Sequence, residues 1–85
     1  MEYVVVAFRS REHTVRFHGL LQSSGISSEI INTPKEAGVG CGLSVKTKKE
    51  NFSAVKKAVH YASFSTFAGF FLVSLIGGKR IVRSI

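Results

Sequence analysis

The chain opens on Tyr3 to Phe8, YVVVAF, a β-branched and aromatic run in which apolar and polar positions do not alternate. Such a run predicts a central strand covered on both faces. The period then changes. Ser10 is placed to cap a helix, Glu12 favours its first turn, and Thr14, Phe17, Leu20 and Leu21 fall on one helical face before Gly25 closes the element. Ile26 to Asn32 alternates weakly and predicts a second strand, ended by the Asn-Thr-Pro turn signal.

After a loop from Thr33 to Gly42, the run LSVKTK alternates cleanly. Leu43, Val45 and Thr47 face one way, and Ser44, Lys46 and Lys48 the other. Asn51 is placed to cap a second helix in which Phe52, Val55, Val59 and Ala62 make the buried stripe. Gly69 to Ile76, the pair Gly77-Gly78, and Lys79 to Ser84 then read as strand, two-residue turn and strand. The order β-α-β-β-α-β with one extra C-terminal strand predicts an α+β domain spanning residues 1–85. Its class is the ferredoxin-like split βαβ, with two helices on one face of an antiparallel sheet.

That layout carries a consequence. Helices on one face leave the other open, yet strand one is apolar on both sides and GFFLVSLI has side chains to bury in either direction. A homodimer through the open face, or a lid made by the C-terminal hairpin, is therefore expected.

Composition narrows the class. Twelve Lys and Arg against five Asp and Glu give a net charge of +7, spread along the chain rather than gathered into one arm. This attracts polyanions without choosing one. The segment Ala58 to Gly78 approaches membrane-spanning length. However, it holds His60 and four Ser and Thr, and its dense apolar part, Phe67 to Ile76, is about half of the ~20 residues a helix needs. No membrane span is expected. The opening MEYVVVAF lacks the basic region and long apolar run of a secretory signal, so a cytoplasmic location is expected.

The one cysteine, Cys41, lies between Gly40 and Gly42 in the loop that also holds the one proline, Pro34. Flanking glycines remove two Cβ atoms, which lets another molecule approach the sulfur. Lys35 in the same loop is a candidate to promote the thiolate or to neutralise an anion carried on it. Against this, a free cysteine is commonly a small buried hydrophobe, and the residues alone leave both readings open. No metal set, disulfide or cofactor is expected. The histidines at 13, 18 and 60 are scattered, and they read as surface or helix-face residues rather than partners of Cys41. A hydrolytic enzyme would need a base and an orienting group that the sequence does not supply.

Taken together, YVVVAF at 3–8, Ser10, Gly25-Ile26, Thr33-Pro34-Lys35 and Cys41-Gly42-Leu43 resemble the Se/S carrier protein-like family. Two positions depart from its pattern: Lys35 stands where the family carries arginine, and Gly40 where it carries a small hydroxyl residue. The resemblance implies a non-catalytic carrier in which Cys41 is the covalent carrier thiol and Thr33, Pro34, Lys35, Gly40 and Gly42 shape its binding loop. It also implies a sulfur or selenium donor protein of the desulfurase type, and an acceptor. Unlike carriers whose cysteine starts a helix, Cys41 is expected to open a strand, without help from a helix dipole. The alternatives are a basic nucleic-acid-binding module and an oligomerisation module of the same fold. The first is disfavoured because LSVKTK offers no aromatic residue for stacking bases.

Overall fold

A computed structural model describes all 85 residues. Strand β1 (Glu2–Phe8) leads into helix α1 (Arg11–Ser23), strands β2 (Ser28–Asn32) and β3 (Leu43–Lys48), helix α2 (Phe52–Ala62), and the hairpin of β4 (Phe67–Ile76) and β5 (Lys79–Ser84). The sheet order is β2-β3-β1-β4-β5, and every pairing is antiparallel. The strands β1 and β2 are thus parallel, with β3 inserted between them. This is the ferredoxin-like split βαβ with a fifth strand added at the β4 edge.

As the sequence implies, β1 is buried on both sides. Val4, Val6 and Phe8 join Phe17 and Leu21 of α1, Val45 of β3, Val55 of α2 and Leu72 of β4 in the helix-side core. Phe8 is its hub, with ring centroids 5.2 Å from Phe17, 5.8 Å from Phe64 and 5.9 Å from Phe67. These tilted and edge-on pairings add to what burial of the ring area contributes.

Local signals explain most boundaries, and four differ from expectation. Strand β2 starts at Ser28 rather than Ile26, because Ile26 belongs to the end of α1. Its N–H bonds the Leu21 carbonyl at 2.9 Å while Gly25 bonds Gln22 at 3.1 Å, a Schellman cap with its usual apolar contact. The α2 cap also differs. A 3₁₀ turn over Lys49–Asn51 enters the helix, and the Asn51 side chain makes no capping bond, reaching instead to the Thr47 hydroxyl at 3.5 Å. In the buried stripe of α2, Ala58 rather than Ala62 packs on the core beside Phe52, Val55 and Val59. Strand β4 starts at Phe67 rather than Gly69, since a register shift between Ala7 and Phe8 lets Phe67 and Phe70 both turn toward the core.

The helix-free face is not open where the sequence left it open. Val5, Ala7, Phe71 and Val73 form a second buried cluster, packed against Tyr3, Ile31, Ala68, Val82 and Ala37. Ala37 lies in the loop between β2 and β3, in a short 3₁₀ turn (Lys35–Ala37) that crosses this face. The hairpin extends the sheet instead of folding over it, so the covering element is the cysteine loop. No helix is long and apolar enough to cross a membrane, and the segment Ala58 to Gly78 divides between the end of α2 and β4.

Candidate functional site

The loop is fastened at both ends. At its start, the Thr33 N–H donates to the Gly42 carbonyl at 2.9 Å, and the Thr33 hydroxyl bonds the Ser44 hydroxyl at 2.7 Å. At its end, the Cys41 N–H donates to the Phe8 carbonyl at 3.1 Å. The site thereby hangs from the last residue of the central strand.

Gly40 is required by this attachment. Its φ is 96°, and a Cβ there would lie 3.3 Å from the Phe8 carbonyl oxygen. A side chain would both strain the backbone and press on the acceptor of the Cys41 bond. Gly42 also has positive φ, at 97°, but faces open space. The pair lets the chain reverse around Cys41 and leaves the residue exposed and free of any disulfide.

The sulfur turns toward α1. Its distance to the Thr14 hydroxyl is 3.7 Å, and to the Leu43 carbonyl 3.6 Å. Thr14 is fully buried, and its hydroxyl also lies 3.0 Å from the Ser10 carbonyl and 3.4 Å from that of Leu43. The hydroxyl has one proton for three acceptors. When Cys41 is a thiol, the S–H donates to Leu43; when it is a thiolate, rotation of the Thr14 hydroxyl supplies a donor to the sulfur.

Thr14 stands four residues past the Ser10 cap, whose side chain accepts from the His13 N–H at 3.1 Å, and helical side chains tilt toward the N-terminus. Cys41 therefore does neighbour the N-terminal part of a helix, which the sequence did not suggest. The contact is tertiary: Cys41 lies two residues before β3 begins, and α1 is brought to it by the fold. Thr14 was legible as a buried helix position, and its hydroxyl on an apolar face was the available signal of a polar task.

The predicted loop residues divide into two groups. Thr33, Pro34, Lys35, Gly40 and Gly42 line a shallow depression of about 250 Å³ together with Gly38 and Val39, and Cys41 is not among its walls. No hydrogen bond or ion pair joins Lys35 to Cys41. The histidines are engaged elsewhere or exposed. His13 bonds Thr66 at 2.6 Å and stacks on Phe64 at 4.6 Å, His18 bonds Ser28 at 2.8 Å, and His60 is exposed.

The middle of the loop has a different fastening. Arg80 of β5 grips Glu36 with two parallel bonds, Nε to Oε2 at 3.0 Å and Nη2 to Oε1 at 2.8 Å. These bonds hold the Glu36 carboxyl below its ordinary range and push Arg80 up. Sequence reasoning missed this pair, because 44 residues separate its members.

With the thiol and its loop in place, comparison with known families is decisive. The sequence profile described as "Putative Se/S carrier protein-like" matches residues 3–66. The chain belongs to that family. The matched span holds β1 through α2, including Thr14, the whole of the Thr33 to Gly42 loop and Cys41, and it ends just before β4. Neither the curated proteins nor the solved structures contain a match to the chain.

Proposed function

We propose that the protein carries sulfur or selenium covalently on Cys41, receiving it from a donor protein and passing it to an acceptor, with no turnover of its own. The observation that carries this reading is the exposed thiol, free of any disulfide, at the anchored end of a glycine-flanked loop. Gly40 and Gly42 clear the approach, the Phe8 carbonyl fixes the backbone, and Thr14 supplies a hydroxyl beside the sulfur.

In the loading step the Cys41 thiolate attacks the outer sulfur of a donor cysteine persulfide. One S–S bond forms on Cys41 as the donor's S–S bond breaks, and the donor cysteine leaves as a thiolate. No net oxidation or reduction occurs. Unloading is the same exchange, with an acceptor nucleophile attacking the outer sulfur and Cys41 leaving as a thiolate. A selenium atom in the outer position follows the same course. The Thr14 hydroxyl, able to rotate between carbonyl and sulfur, suits a site whose charge appears and disappears during exchange.

The other expected partner is a second copy of the chain. Four residues of the helix-free face are already buried within one chain, so that face asks less of a dimer than the sequence implied. The nucleic-acid alternative gains nothing from the fold: on that face the Tyr3 ring is occupied by the Lys46 ammonium, 4.4 Å from its centroid.

The test is incubation with a protein persulfide donor, trapping with an alkylating reagent, and intact mass spectrometry. A mass increase of one sulfur atom, present in the wild type and absent in Cys41→Ser, is expected. An unmodified wild-type thiol under conditions that load a control thiol overturns the reading.

A further inference from the structure

We infer that Arg80 is a positioning residue for Cys41: its fork on Glu36 is the clasp that keeps the cysteine loop ordered across the helix-free face of the sheet. The inference rests on Cys41 being the working residue of the loop. It goes beyond that reading in assigning a task to β5, which lies outside the family-matched span of residues 3–66.

The loop's fastenings make the case. Thr33 and Cys41 are tied to Gly42, Ser44 and Phe8. Between them, backbone bonds of residues 34–40 are local, from Ala37 to Pro34 and from Gly38 to Lys35. The bonds from this stretch to the rest of the chain are the two made by Arg80. Apart from them, the stretch is held by packing alone: Pro34 is buried, Ala37 lies against Val5, Ala7, Phe71 and Val73, and Gly40 sits close to the Phe8 carbonyl.

The clasp also differs in kind from the other ion pairs. Arg16 with Glu12, Lys46 with Glu29 and Lys49 with Glu2 each make a single contact, whereas Arg80 presents two donors, one to each oxygen of one carboxylate. Bidentate geometry is the circumstance in which a surface pair holds its partner in one orientation. Without it, the segment from Glu36 to Gly40 loses its only side-chain hydrogen bonds to the rest of the chain, and Gly38 and Gly40, both at positive φ, give it freedom to move. That motion is transmitted to Cys41 through Gly40, which packs directly on the Phe8 carbonyl that holds the Cys41 amide.

The experiment compares wild type, Glu36→Gln, Arg80→Gln, the double variant, Arg80→Lys, and the charge-exchanged pair Glu36→Arg with Arg80→Glu. Two rates are read: amide hydrogen exchange at residues 36–40, and alkylation of Cys41 by uncharged iodoacetamide. Each single Gln variant is expected to raise loop exchange by about two- to fivefold, with alkylation changing in parallel and the melting temperature nearly unmoved. The double variant is expected to match the singles, and Arg80→Lys to recover part of the effect. The exchanged pair is expected to recover more than Arg80→Lys. High salt is expected to loosen the wild type and leave the double variant unaffected. Loop exchange and alkylation indistinguishable from wild type in both single variants overturn the inference, as does an additive double variant. Neither rate requires a donor, so a failure of sulfur loading leaves this test standing, and a failed clasp leaves the loading test standing.

Discussion

The amide of Cys41 donates to the carbonyl of Phe8 at 3.1 Å, so the backbone of the cysteine is attached to the backbone of the residue whose ring the core is built around. Phe8 ends β1, its ring touches Phe17, Phe64 and Phe67, and its carbonyl points out of the sheet end toward the loop. A mobile-looking, glycine-rich segment is thereby given a rigid reference point.

Gly40→Ala tests that attachment. A methyl group would meet the Phe8 oxygen at 3.3 Å with φ at 96°, so the variant is expected to lose about 1–3 kcal/mol in urea unfolding. The Cys41 amide is expected to lose its protection from hydrogen exchange. The same substitution at Gly38, where nothing lies within 4 Å, is expected to cost less.

Phe8→Ala removes the hub. Emptying this position is expected to cost about 3–5 kcal/mol. That is comparable with the lower end of the total stability of a domain this size, about 4–13 kcal/mol. Urea unfolding followed by circular dichroism is expected to show the midpoint falling by the corresponding amount at 25 °C.

Thr14 separates packing from chemistry. Thr14→Val keeps the volume and removes the hydroxyl, and it is expected to slow alkylation of Cys41 at neutral pH by about two- to tenfold. Thr14→Ser, which keeps the donor, is expected to stay within about twofold of wild type. A valine variant as reactive as wild type would show the hydroxyl to be idle toward the sulfur.

Acid is expected to weaken the fold through two carboxylates. Glu36 is held below its ordinary value of 4.5 by the bonds from Arg80. Glu2 is lowered likewise, by Lys49 first and then by the Ser74 hydroxyl. A carboxyl whose folded value is depressed contributes stability above its unfolded value, and that contribution is lost as pH falls through the folded value. The melting temperature is therefore expected to be level above about pH 5 and to drop below about pH 4. An NMR titration is expected to place the Glu36 midpoint below 4.5 in the wild type and closer to it in Arg80→Gln.

Much of the fold was legible because its causes are local. YVVVAF has no polar face to offer water, Ser10 caps where a serine should, and Gly77-Gly78 closes a two-residue hairpin. The alternation of LSVKTK placed Ser44 and Lys46 opposite Val45, as the β1 and β2 registers require. Misreadings fell where a tertiary contact competes with a local signal. Ile26 reads as strand but caps a helix against Leu21, and Asn51 reads as a cap but turns toward Thr47. The C-terminal hairpin was expected as a lid over the helix-free face, but it extends the sheet, and the loop that packs there went unread because no periodicity marks a loop as a lid.

The sequence alone determined the order of elements, the placing of the one thiol in a glycine-rich loop and the family, since these depend on residue type and short-range spacing. Only the tertiary structure decided what surrounds the sulfur and what restrains its loop. Thr14, Phe8 and Arg80 are distant from Cys41 along the chain, and sheet register and helix packing bring them to the loop, beside the sulfur or around the segment that carries it. Hydrogen bonds act over a few ångströms in space regardless of separation in sequence, so such neighbours leave no mark in the local pattern.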